Sequence, residues 1–121
     1  MKQKDKDLLL LDLCSRLPYE VKIQYEDNIF TIDYISAMYE EIKLNTPNKY
    51  TIDVLEVKPY LFPLSSMTGR LKAELFNLRI DIEDPFQDSL CEIDFYHRNH
   101  FDYRGLIEKG LAIDATGLNI Y

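Results

Sequence analysis

Between Tyr19 and Val54 apolar residues recur at every second position, and on either side of that stretch they recur at every third or fourth. Alternation turns one face of an extended chain toward a core, whereas the longer spacing lays one stripe of a helix against it. Tyr19, Val21, Ile23 and Tyr25 alternate with Glu20, Lys22, Gln24 and Glu26. Phe30, Ile32 and Tyr34 alternate with Thr31 and Asp33, and Asp27-Asn28 between the two runs suits the positive φ of a tight hairpin. Tyr39 to Leu44 reads as a weaker third strand, Asn45-Thr46-Pro47-Asn48 as a turn, and Tyr50, Ile52 and Val54 as a fourth strand.

Helical spacing flanks this region. Asp5 to Leu17 carries Leu10, Leu13, Cys14 and Leu17 on one face, and Pro18 ends it. Pro59-Tyr60-Leu61-Phe62-Pro63 reads as an extended crossing or a sheet edge, because proline cannot donate to a central ladder. Ser65 or Ser66 is expected to cap a second helix with the stripe Met67, Leu71, Leu75, Leu78 and Ile82. Asp84-Pro85 starts a third, whose apolar face is Phe86, Leu90, Ile93, His97 and Phe101. Gly105, Gly110 and Gly117 make the remainder mostly turns. The expectation is a single α+β domain over residues 1–121. An N-terminal helix precedes an antiparallel meander of about four strands, and two C-terminal helices cover one sheet face.

Length and charge narrow the function classes. A chain of 121 residues supports one core without metal or disulfide staples. Basic residues number 14 against 21 acidic, a formal net charge of −7, and no basic patch stands out, so direct nucleic-acid binding is not expected. Lys6 to Cys14 imitates a lipoprotein leader, but its uninterrupted apolar run is four leucines and Asp12 sits inside the segment. No stretch approaches the roughly 20 apolar residues of a membrane span. The reading is a cytoplasmic protein with Cys14 and Cys91 reduced.

Three blocks carry a resemblance. Asp12-Leu13-Cys14-Ser15-Arg16-Leu17-Pro18-Tyr19, the run Lys58 to Thr68 (KPYLFPLSSMT) and the run His100 to Ala112 (HFDYRGLIEKGLA) resemble a group of small uncharacterised proteins of gut Bacteroidetes and their phages or mobile elements. The resemblance implies no activity, ligand or catalytic residue. The group typically follows its Ser-Ser-Met-Thr with acids, whereas this chain has Gly69 and Arg70. With Ser66 as cap, the reciprocal bond of a capping box is lost and the helix start is expected to fray.

Chemistry-bearing clusters are few. Asp94, His97, His100 and Asp102 are the one His-plus-carboxylate grouping, of a kind that suits zinc or iron. No ligand signature is matched, and a histidine on an apolar stripe more often makes one internal hydrogen bond. Residues 80–94 hold Asp81, Glu83, Asp84, Asp88, Glu92 and Asp94 with no basic residue, which suits a solvated face or a mimic of nucleic-acid charge. No nucleophile elbow, phosphate loop or dinucleotide motif is present, and both cysteines fall beside apolar stripes, where thiols are usually inert.

The nine tyrosines are the least ordinary feature, though six lie on or beside expected strands. The leading reading is a non-enzymatic protein-interaction or accessory protein of phage or mobile-element type, without cofactor, whose partner is another protein. The alternatives are an acidic decoy that mimics nucleic acid and a metal-dependent enzyme using His97 and His100. The expected interaction face is Tyr60, Phe62, Tyr103 and Arg104. In an extended segment Tyr60 and Phe62 point one way and Leu61 the other, so an exposed aromatic pair would be anchored by Leu61. The competing reading makes Tyr60 and Phe62 the core side, with Arg104 paired to Asp102.

Overall fold

A computed structural model describes residues 2–48 and 50–121. The chain is a mixed α+β protein. Helix α1 (Lys2–Arg16) runs into a 3-10 turn, Leu17–Tyr19, that holds Pro18. Strands β1 (Ile23–Tyr25) and β2 (Asn28–Phe30) form a hairpin, followed by β3 (Ile32–Ser36), β4 (Glu41–Leu44) and β5 (Ile52–Asp53). Then come β6 (Lys58–Pro63), α2 (Gly69–Arg79), α3 (Pro85–Arg98), β7 (Phe101–Asp102) and β8 (Ile113–Asp114).

The expected four-strand meander is replaced by two sheets. One runs β2-β1-β6-β7, with β8 also paired to β6; the other is β3-β4-β5. The chain leaves the first sheet at Thr31, whose carbonyl accepts from the Asn45 N–H at 2.9 Å. The run expected as a second strand is therefore divided between two sheets. Alternation reports which face of a strand is buried but not which strand lies beside it. The hairpin turn also falls one residue earlier than expected. Tyr25 pairs with Asn28, so Glu26 and Asp27 take the positive φ values, 48° and 63°.

The proline-bounded segment is the centre of its sheet and not an edge. β6 pairs antiparallel with β1 and parallel with both β7 and β8. The amides of Tyr60 and Phe62 donate to the carbonyls of Lys22 and His100, each at 2.8 Å. By the two-residue period of a strand, the missing donors of Pro59 and Pro63 point to the opposite edge. There the partner β8 is only two residues long and pairs with Tyr60 and Leu61 between the prolines.

Two apolar clusters meet at β6. The larger joins Leu9 and Leu13 of α1 to Ile23, Ile42, Ile52 and Leu61. The smaller joins Leu75, Phe95 and Phe101, with Phe62 packed against it. Leu61 and Phe62 point to opposite faces, so one strand supplies both. The helix against the larger core is α1, whereas α2 and α3 cover mainly the small cluster. The cap of α2 is Thr68, which accepts from the Leu71 amide at 3.2 Å. Ser66 instead donates to the Pro63 carbonyl at 2.7 Å. Asp84 caps α3 by accepting from the Phe86 amide, with Pro85 at the first helical position, as the sequence suggests.

Candidate interaction site

The first and third sequence blocks meet at a buried polar junction. Asp12 and Arg16 stand one turn apart on α1, and both side chains are wholly buried. The Arg16 Nε donates to Asp12 at 2.8 Å and its Nη2 to the Phe101 carbonyl at 2.5 Å. Arg104 reaches the other Asp12 oxygen at 3.0 Å. The Tyr103 ring lies against both guanidinium groups, at 4.8 Å from Arg104 and 5.6 Å from Arg16. Its hydroxyl shares a hydrogen bond of 2.5 Å with Nε2 of His97. Burial, reinforced by the charge of Arg16, holds the His97 imidazole below its usual range, and burial pushes the Tyr103 phenol up. At neutral pH the pair is uncharged, and the junction's charge rests on one carboxylate between two guanidiniums.

Through it α1 is bonded to the segment after α3. Sequence reasoning did not single out Asp12 or Arg16. Their i, i+4 spacing with opposite charge was the available signal.

The expected interaction face is not assembled. Tyr60 is 6% exposed and Leu61 is fully buried, while Phe62 is half-buried. Leu61 faces the larger cluster and Tyr60 is buried, so of these residues only Phe62 keeps partial exposure. Tyr103 and Arg104 are half-buried in the junction, and Arg104 pairs with Asp12 and not with Asp102. Asp102 is itself buried, accepting from the Leu106 and Ile107 amides at 2.9 Å each, and so shapes the turn that follows β7.

The His-plus-carboxylate grouping is dispersed. His97 faces Tyr103. Asp94 accepts from the Tyr19 hydroxyl and from Arg98, and those bonds, Tyr19 first, hold its carboxyl below the usual range. His100 takes a left-handed backbone, φ 61°, and stacks on Tyr121 with ring centroids 3.7 Å apart. Its Nδ1 is buried with no partner among the described residues, and burial lowers its pKa to about 4. Among the described residues no group of three or more His, Cys, Asp or Glu side chains is placed to hold a metal ion.

The acidic run is also partly neutralised. Arg79 binds Asp88 at 2.6 Å and also pairs with Glu92, while Arg98 takes Asp94. Asp81, Glu83 and Asp84 make no salt bridge among the described residues. Cys14 is exposed, not set in the core as expected, and its thiol is pushed up by desolvation, away from the reactive thiolate.

The exposed apolar surface lies elsewhere. On α3 the buried residue is Phe95, and the stripe Phe86, Leu90 and Ile93 occupies the opposite side, 66%, 46% and 37% exposed. The expectation that this stripe faces the core is overturned. α2 and the residue that follows it add Phe76 and Ile80, which line an open groove of about 430 Å³ with Met67, Leu75 and Ile82. Among the described residues no helix is long and apolar enough to cross a membrane. No model of a protein family matches the chain, and no curated protein or solved structure does either.

Proposed function

We propose that this chain is a non-enzymatic interaction protein that presents the α2–α3 hairpin to an apolar, basic-rimmed segment of another protein. The observation that carries the reading is the stripe of Phe86, Leu90 and Ile93, exposed at helical spacing opposite Phe95. Scattered single apolar residues on a surface need no explanation, but a row at i, i+4 and i+7 is the pattern by which one helix reads a complementary surface. The basic rim of the partner follows from charge. Asp81, Glu83 and Asp84 are exposed beside the start of the stripe, and the chain's net charge is −7. The accessory role in a phage or mobile element rests on the resemblance of the three sequence blocks alone.

The test is the double variant Phe86→Ser/Leu90→Ser, compared with the unaltered chain in affinity capture and in sedimentation. The expected outcome is an unchanged thermal midpoint, loss of a captured partner, and capture by the unaltered chain that weakens as salt rises. Capture that survives the double variant overturns the reading. A concentration-dependent dimer abolished by the variant would assign the face to a second copy of the chain and overturn the choice of partner.

A further inference from the structure

A second concavity lies on the other side of α3, between its C-terminal end, the start of α2 and β6. Its volume is about 470 Å³, within the range of small-molecule sites. Phe62, Tyr121 and Leu71 form its walls, and Thr68, Arg98 and His100 bring polar groups to it. The walls are an ordered aromatic array. Phe62 lies 5.8 Å from Tyr121 and 6.3 Å from Phe101, both tilted by more than 50°, and Tyr121 stacks on His100. A planar ring entering here extends the array in offset or edge-on geometry.

The electrostatics choose a sign. Among the described residues Arg98 is the one charged side chain lining the cleft, in a protein with a surplus of acids. Its Nη2 is held by Asp94 at 2.6 Å, and its Nε and Nη1 have no partner among the described residues. The first turn of α2 opens beside it at Thr68, where helix amides lack intrahelical acceptors and the dipole is positive. His100 adds a second and independent feature. It is 9% exposed, its Nδ1 has no partner among the described residues, and its backbone is left-handed. An unsatisfied buried polar atom at the wall of a concave site calls for an explanation, and a bound group is one. The site is also rigid, because the Phe62 amide donates to the His100 carbonyl and ties wall to floor.

We propose that this cleft binds a small aromatic anion, a planar ring bearing a carboxylate or a phosphate. The ring lies against Phe62 and Tyr121, and the charged group points to Arg98 and the first amides of α2. The site is distinct from the α2–α3 outer face and stands whether or not that face binds a partner.

The experiment is a titration of the isotope-labelled full chain, followed by amide chemical shifts, with benzoate, phenyl phosphate and neutral benzamide as probes. Saturable shifts at 68–71 and 98–100 with at least one anion, and binding of benzamide about tenfold weaker, are expected. The stronger of the two anions then identifies the charged group. Arg98→Gln should weaken the anion by about tenfold and leave benzamide unchanged, and Arg98→Lys should restore part of the loss. Absence of saturable shifts with either anion overturns the proposal, as do shifts centred on Phe86 and Leu90. Equal binding of benzamide and the anions overturns the assignment of charge.

Discussion

Arg16 and Asp12 form an ion pair at 2.8 Å with no solvent exposure on either side chain, one helical turn apart on α1. Because Asp12 also holds Arg104, its removal leaves two guanidinium groups beside Tyr103 with no carboxylate between them. Asp12→Ala should therefore cost about 3 to 5 kcal/mol in urea unfolding, the range for stripping one partner from a buried pair. Arg98→Ala breaks an exposed i, i+4 pair with Asp94 and should cost under about 1 kcal/mol. Equal losses in the two variants would show that the junction contributes no more than a surface pair.

The buried imidazole of His100 makes stability depend on pH. Burial, helped by Arg16 and Lys22, lowers its folded pKa to about 4, whereas an unfolded chain titrates near about 6.5. Between these values the unfolded chain takes up a proton that the fold excludes. The contribution is thus intact above about pH 6.5 and declines as pH falls toward about 4, by about 3 kcal/mol across the whole interval. His100→Asn keeps a residue type that tolerates positive φ, and should flatten the stability profile in that window. The carboxyl of Asp94, held low by Tyr19 and Arg98, loses its share only at more acidic pH. A profile unchanged in the variant would assign the dependence to other groups.

One helix provides an internal contrast. Phe95 is fully buried in the small aromatic cluster, and Leu90 is 46% exposed. Phe95→Ala should destabilise by about 3 to 5 kcal/mol. Leu90→Ala should remain within about 0.5 kcal/mol. Thermal unfolding of the two variants distinguishes them directly, and a large loss for Leu90→Ala would place the stripe in the core.

The β1–β2 turn has room for improvement. Glu26 and Asp27 both adopt positive φ, where a side chain is strained and glycine is not. Asp27→Gly should raise stability by about 0.5 to 1 kcal/mol, the relief being offset in part by glycine's greater freedom when unfolded. A lower denaturation midpoint would show that the Asp27 side chain has a role of its own.

Local chemistry was legible where it was complete within a few residues. Asp84-Pro85 gave the start of α3 because the cap and the first helical residue are adjacent. The position of β6 was not legible, because two prolines argue for an edge unless the short span of β8 is known. β7 and β8 have two residues each, too few for any period to show. The α3 stripe was recognised as apolar but assigned to the wrong side, since amphipathicity identifies a face and not what covers it. Among the candidate residues, Tyr103 and Arg104 proved to be neighbours of Asp12, a carboxylate 91 residues from Tyr103 and 92 from Arg104, through a contact no local pattern encodes.

The pairing of β6 with β1, β7 and β8 has a consequence for assembly. The strand just before it in the chain, β5, is not a partner, and both parallel partners follow only after the α2–α3 crossover. As the chain emerges from the ribosome, β6 has β1 available but presents the positions that β8 will pair bare until more than 50 further residues have been made, since Asp114 of β8 pairs with Leu61. During that interval Leu61 and Phe62 are exposed beside unpaired backbone, which is the composition of an aggregation-prone edge. Pro59 and Pro63 remove two donors from that edge while it waits. The same prolines that look out of place in a central strand would act as guards against the wrong partner during synthesis.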